Sequence, residues 1–223
     1  MERPEVPSGR TRVRRLPELA VYERDAIYAI LDEALVCHLG FVDEGRPYVI
    51  PTLHARVGDE LLIHGSAAGR AMRVLGSGAP VCVTVTLLDG VVLARSVYES
   101  GVNYRSVVVL GNARAIEEPA EKLRALEAFT EGIIPGHWVL ARKPNEQEVK
   151  ATVVLAIPLE ECSAKVSEGP PDDSDGPDAD LPIWAGAIPL EMVARDPVPD
   201  PALKHDLSPP PYATGYRRSH RRA

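Results

Sequence analysis

Leu61-Leu-Ile-His64-Gly65-Ser66-Ala-Ala-Gly69-Arg70-Ala-Met-Arg73 is the stretch around which the chain is read. It starts as an apolar strand, breaks at Gly65 and continues as a short helical pattern over 67–76. Ser66 reads as the N-cap, its hydroxyl accepting from a free amide of the next turn. A helix start leaves N–H donors and a partial positive charge, and Arg70 and Arg73, three apart, lie close together on it. A strand that ends in such a turn has the donors to cradle a phosphate group. The same residues also suit an ordinary turn.

The flanks extend the pattern. Tyr22, Ala26, Ile27, Ile30 and Leu31 recur at helical spacing, with Asp25, Asp32 and Glu33 on the other side. Leu35–Val42 and Tyr48–Leu53 are β-rich runs joined by the turn signal Asp43-Glu-Gly45-Arg. Val57-Gly58-Asp59 turns the chain again into Leu61–His64, which completes an antiparallel meander. Downstream, Ala79–Leu88 is rich in branched residues that suit a pleated, packed surface. Asp89-Gly90 predicts a hairpin into Val91–Ala94. Asn103–Ile116 reads as a long strand in which Gly111 marks a bulge or a bend. Glu118-Pro119 opens a helix with Leu123, Leu126 and Phe129 on its apolar face. Asn145 caps a short helical turn, Thr152–Ile157 is another strand and Ser163–Glu168 a shorter one. The pattern predicts an α+β chain, mainly β: a six- to seven-stranded antiparallel split β-barrel with flanking helices. Barrel formation removes the exposed edges of so strand-rich a chain.

Three segments are expected. Residues 1–16 form a flexible arm that settles on the surface. Residues 17–195 form one domain, whose late stretch Leu181–Leu190 is apolar enough to dock and whose 168–180 segment is an acidic loop. Residues 196–223 are a Pro-rich, basic tail, poorly ordered at its end. The net charge of −7 argues against nucleic-acid binding, which needs a basic face. The 3 cysteines form no CxxC pair, which fits buried thiols in a reducing compartment. His and Cys do not cluster at metal-ligand spacing, so no metal site is expected. No signal-type apolar run follows the N-terminal arginines, and no stretch is long enough to cross a membrane. The expectation is a cytoplasmic protein without a membrane partner.

Tyr48-Val-Ile-Pro51-Thr52-Leu, Ile63-His64-Gly65-Ser66 with Arg70, and Asn103-Tyr104-Arg105-Ser106-Val-Val-Val-Leu-Gly111 together resemble a known pattern. Their order and spacing are similar to the pyridoxamine 5′-phosphate oxidase-like superfamily of FMN-binding split barrels. The branch resembled is that of flavin-nucleotide-binding proteins related to nitroimidazole-resistance (Nim) proteins. The resemblance implies a homodimer with FMN at the subunit interface. It implies that Ser66 and Arg70 hold the FMN phosphate, and that Arg105 and Ser106 approach that phosphate or the ribityl chain. Pro51 and Thr52 would meet the flavin ring edge, and Tyr104 would pack beside the cofactor. Trp184 would close on it from the partner subunit.

The residue types agree with that implication. A phosphate dianion wants a guanidinium plus hydroxyl and amide donors, and a flavin ring wants flat apolar walls. Two departures stand out: Arg70 and Arg73 replace an adjacent basic pair, and no set of residues for pyridoxamine phosphate is evident. The expected function is an FMN-dependent oxidoreductase acting by hydride transfer on a small organic molecule, such as a nitroaromatic. A flavin-binding carrier or sensor is the alternative, as is a split barrel that holds haem or a deazaflavin. His64 or His54 would serve a haem. His64 otherwise touches the flavin or a substrate, or is a structural histidine.

Overall fold

The computed structural model describes residues 8–217. Seven long strands form the body: β2 (Val36–Asp43), β3 (Arg46–Val57), β4 (Glu60–Ser66), β5 (Pro80–Leu93), β6 (Gly101–Asn112), β8 (Thr152–Pro158) and β9 (Cys162–Ser167). Three short ones join them: β1 (Ala20–Val21), β7 (Arg114–Ala115) and β10 (Gly186–Pro189). Every pairing is antiparallel, in the order β1-β9-β6-β5-β2-β3-β4-β8-β7, with β10 added along β5. The sheet curls on itself as a split barrel. Gly111 of β6 comes so near β8 that an added Cβ would lie 3.5 Å from Ile157. The glycine expected to mark a bend therefore marks the place where the two halves of the sheet approach.

Side chains alternate along each strand, and burial shows which face is which. Leu39, Phe41, Ile63, Val83, Val85, Val107, Val109, Leu155 and Ile157 fill the interior. α1 (Arg24–Glu33) plugs it with Ile27 and Leu31, and α2 (Arg70–Gly76) adds Leu75. A second cluster lies outside the barrel. There Leu62, Val154 and Ala156 meet Ala125 and Phe129 of α3 (Pro119–Ile133). Strands β4 and β8 are thus covered on both faces, which is why Leu61-Leu62-Ile63 is an unbroken buried run.

Several local predictions correspond to what is seen. The Glu44-Gly45 turn has positive φ at both positions, 50° and 76°, as a two-residue hairpin turn requires. Asn145 caps α5 (Glu146–Ala151) in a full capping box with Glu148. Two readings need correction. Asp89-Gly90 is not a hairpin: β5 runs on to Leu93 with a bulge between Leu88 and Gly90. The reversal falls later, where Ser96 and Ser100 hydroxyls bind the loop backbone. The reason is that Gly90 and its neighbours are paired on both sides, with β6 and with β10, while Asp89 turns to an arginine. Ser66 is not the N-cap of α2. Gly69 occupies that position without a side-chain cap, and the Ser66 hydroxyl instead accepts from Ala68 N at 3.3 Å.

That arginine is Arg105, and it faces the barrel interior with Val107 and Val109. It lies at the barrel mouth between two carboxylates. Nη1 and Nη2 donate to Glu33 at 2.6 and 2.9 Å, and Nε and Nη2 donate to Asp89 at 2.9 and 2.8 Å. Hydrogen bonds from Asp89, then Glu33, push its pKa up against the opposing effect of burial. The pair ties the C-terminal end of α1 to the β5 bulge. Arg105→Ala removes both forks and leaves two carboxylates close together. It should cost about 2–3 kcal/mol in urea unfolding, below the value for a fully buried pair because Arg105 is partly exposed. An unfolding free energy equal to wild type would show that the clamp contributes nothing.

Candidate functional site

The outer face of the sheet is open. Val36 and Val42 of β2, Val49 and Leu53 of β3, Leu88 of β5 and Val102 of β6 all stand exposed on it. Pro51 pairs with His38, and His38 pairs with Thr84, so these three lie in one row across the face. Tyr104 and Ser106 alternate with the inward Arg105 and therefore share this outer face, with Ser106 opposite Thr86. Among the described residues the Ser106 hydroxyl has only a long 3.4 Å contact, to Lys165 O. Thr52, next to Pro51, points the other way, its strand alternating exposed and half-buried residues.

The same face continues onto β4. His54 pairs with Ile63, so one step along the ladder brings Leu53 opposite His64. Both line a cleft of about 460 Å³, together with Phe129, His137, Trp138 and Arg142. The His64 ring lies 4.3 Å from that of Phe129, tilted by 58°. Its Nδ1 is buried and has no hydrogen-bond partner among the described residues. Burial lowers the pKa of His64, which keeps the imidazole neutral near pH 7.

The far wall is built by a corner. Gly136, at φ 88°, turns the chain between α3 and α4 (His137–Leu140). Glu131 holds that corner by accepting from Gly136 N at 2.7 Å and Trp138 N at 2.8 Å. Those two bonds pull its pKa down. α6 (Pro211–Thr214) docks on it: Tyr212 Oη lies 2.8 Å from His137 Nδ1, and its ring packs over Gly136. The tail is therefore anchored here through α6, while its basic end at 218–223, the part expected to be poorly ordered, lies outside the described residues, as do 1–7. Residues 8–16 rest on the body, as Val13 N donating to Tyr22 Oη at 2.9 Å illustrates.

The structure brings Pro51, His64, Ser66, Tyr104 and Ser106 to one continuous face. It does not bring Ser66, Arg70 and Arg105 around one point within a chain. Arg70 is half exposed, stacks 4.4 Å over Tyr48 and lies 3.4 Å from Asp43, the last residue of β2. Arg105 is bound to Glu33, which precedes the first residue of β2. Trp184 is 67% exposed and lies back over Gly186, where an added Cβ would come within 2.8 Å of its ring. His54 is buried and tied to α1, its Nε2 donating to Leu31 O at 2.9 Å. Sequence reasoning missed His137 and Trp138. The Gly-His-Trp run after the helix was their signal, but nothing local says that it faces His64. Among the described residues no group of His, Cys, Asp and Glu could hold a metal ion, and no helix is long and apolar enough to cross a membrane.

The model of the pyridoxamine 5′-phosphate oxidase family matches residues 23–166, and the chain belongs to that family. It is similar to the structure of flavocytochrome Anf3 from Azotobacter vinelandii, with 41% identity over 97% of this chain and 100% of that one, and a TM-score of 0.91. It is also similar to an FAD- and haem-binding protein from Mycobacterium smegmatis, with 37% identity over 88% of this chain and 96% of that one, TM-score 0.84. A Bacteroides thetaiotaomicron protein described as a 5-nitroimidazole antibiotic resistance protein shares the fold. It has 23% identity, a TM-score of 0.57, and covers 66% of this chain and 86% of its own. No curated protein matches.

The His64 environment sets a pH dependence. Its folded pKa lies below the ordinary histidine value, so between the two the unfolded chain binds the extra proton and the folded chain does not. Stability rises with pH through that window and is lost on acidification below about 6.5, with no effect above it. Thermal melts of ligand-free protein should show a shallower acid loss in His64→Gln than in wild type. Identical slopes would place the titration elsewhere.

Proposed function

We propose that the protein binds a flavin nucleotide and a haem on the exposed sheet face and acts as a small flavin-dependent oxidoreductase. The observation that carries the haem is the His64 cleft. A neutral imidazole, its buried Nδ1 unpartnered among the described residues, lies 4.3 Å from the Phe129 ring in a cleft that Trp138 also lines, and neutral imidazole is a haem-iron ligand. His54, the other candidate, is occupied by Leu31 O. The two relatives above 30% identity, one called a flavocytochrome and the other an FAD- and haem-binding protein, support the same reading.

For the flavin, Ser66 and Arg70 offer a hydroxyl and a half-exposed guanidinium to a phosphate, with Asp43 setting a limit on that attraction. Pro51 supplies a flat apolar contact for the ring, and Ser106 and Tyr104 offer hydroxyls on the same face. Thr52 and Arg105 point inward and receive no role. The name of the FAD- and haem-binding relative favours FAD over FMN. A second copy of the chain would cover the exposed valines and leucines of the face, placing the flavin between subunits in a homodimer. When bound, a flavin takes up a hydride or single electrons and a haem passes single electrons. The chain's own residues orient the two groups, hold His64 neutral and keep water from the cleft with Phe129 and Trp138. The acceptor is a small organic molecule.

Purified protein should show both a flavin spectrum and a haem Soret band, and extraction should release FAD. His64→Ala should lose the Soret band and keep the flavin; retention of both would remove His64 as the ligand. Arg70→Ala should weaken flavin binding by about 1.5–3 kcal/mol in a titration, the loss of a charge-assisted contact. Unchanged affinity would show that Arg70 faces solvent.

A further inference from the structure

The cleft beside β4 holds two histidines. Of the described histidines, only His64 and His137 line it: His54 is bound to Leu31 O, and His38 and His205 stand exposed outside it. His64 serves the reading given above, and His137 has no part in it. α4 has no buried residue, so hydrophobic packing does not fix His137; hydrogen bonds do. Its N donates to Ile134 O at 3.1 Å, and its O accepts from Ala141 N at 2.9 Å. Glu131 accepts from the amides on either side of it, Gly136 N and Trp138 N. The side chain is held as well. Nδ1 lies 2.8 Å from Tyr212 Oη, and the two rings meet edge-on with centroids 5.6 Å apart.

One nitrogen is left over. Among the described residues nothing hydrogen-bonds to His137 Nε2, because its one side-chain contact is made by Nδ1. The Tyr212 hydroxyl oxygen accepts as well as donates, so it suits the tautomer with the proton on Nδ1 and the lone pair on Nε2. A metal-binding imidazole is commonly oriented in this way, by a partner on its other nitrogen. Two histidines are too few to hold a bare ion. They are what haem iron takes, because the porphyrin supplies its other ligands.

We propose that His137 Nε2 is the second axial ligand of the haem held by His64, and that Tyr212 is its positioning residue. The proposal rests on the haem reading put forward above, and it adds what meets the other side of the iron. His64, packed on Phe129, is the ligand that retains the haem. His137, half-buried on the far wall, fills the remaining position. With both positions filled, small molecules do not reach the iron until His137 leaves. Electron passage is then left to the haem, and reduction of the organic acceptor to the flavin. The competing account of the His137–Tyr212 contact is an anchor for the C-terminal tail alone, which leaves the haem spectrum untouched when His137 is replaced.

The test reads the absorption and electron paramagnetic resonance spectra of the hemin-loaded full chain in imidazole-free buffer. Wild type should hold low-spin ferric haem. His137→Ala should keep the haem but turn high-spin, and added imidazole should restore the low-spin spectrum. After reduction, carbon monoxide should bind to His137→Ala at least about tenfold faster than to wild type, which must first release His137. Tyr212→Phe keeps a ring over Gly136 and loses the hydroxyl, so its haem should be mixed-spin; a wild-type spectrum would remove Tyr212 as the positioning residue. A His137→Ala protein as low-spin as wild type overturns the ligand assignment, and so does a high-spin wild type. Both results leave His64 and the haem site standing. A wild type that is folded by circular dichroism but takes up no hemin overturns the haem site itself.

Discussion

The alternation of side chains along antiparallel strands decides which residues of this protein can meet a ligand. Neighbours in sequence are placed on opposite faces, so Pro51 looks outward while Thr52 looks in, and Tyr104 and Ser106 look outward while Arg105 looks in. One face is committed to the core, and a second cluster beneath α3 covers the other side of β4 and β8. What remains is one continuous outer face. It runs from Ser66 and His64 through Pro51 and His38 to Ser106. The flavin and haem proposed above are placed on this face.

Arg105 shows how this constraint overrides residue type. A guanidinium at the start of a strand, beside a serine, suits a phosphate. Inside the barrel mouth it instead meets Glu33 from α1 and Asp89 from the β5 bulge, which satisfy it on both edges. The same pairing accounts for the misplaced hairpin, because Asp89-Gly90 has the composition of a tight turn but serves as the bulge that aims a carboxylate. Local signals of this kind cannot reveal a partner 16 or 72 residues away.

Much of the framework was nonetheless legible. Helical spacing in 22–31, the Glu44-Gly45 turn, the Asn145 cap and the run of branched residues in β5 are local features whose physics is settled within a few residues. Three segments in order were enough to suggest the split barrel and its family. The cleft was not legible. It joins β4, α3 and α4, and its wall is steadied by Glu131 and by Tyr212 from the far end of the chain. His64 could be singled out, but its neutral state and its aromatic surroundings are consequences of that assembly.

In the proposed reading the outer face bears the ligands and the inward Arg105 serves the fold alone. Flavin titration of two variants tests it directly. Ser106→Asp puts a negative charge on the outer face and should abolish retention of the flavin nucleotide while the fold stays intact. Arg105→Gln should lower unfolding stability, yet its folded protein should bind flavin with wild-type affinity. Strong binding by Ser106→Asp, together with lost binding by folded Arg105→Gln, would contradict the account and return the phosphate to Arg105.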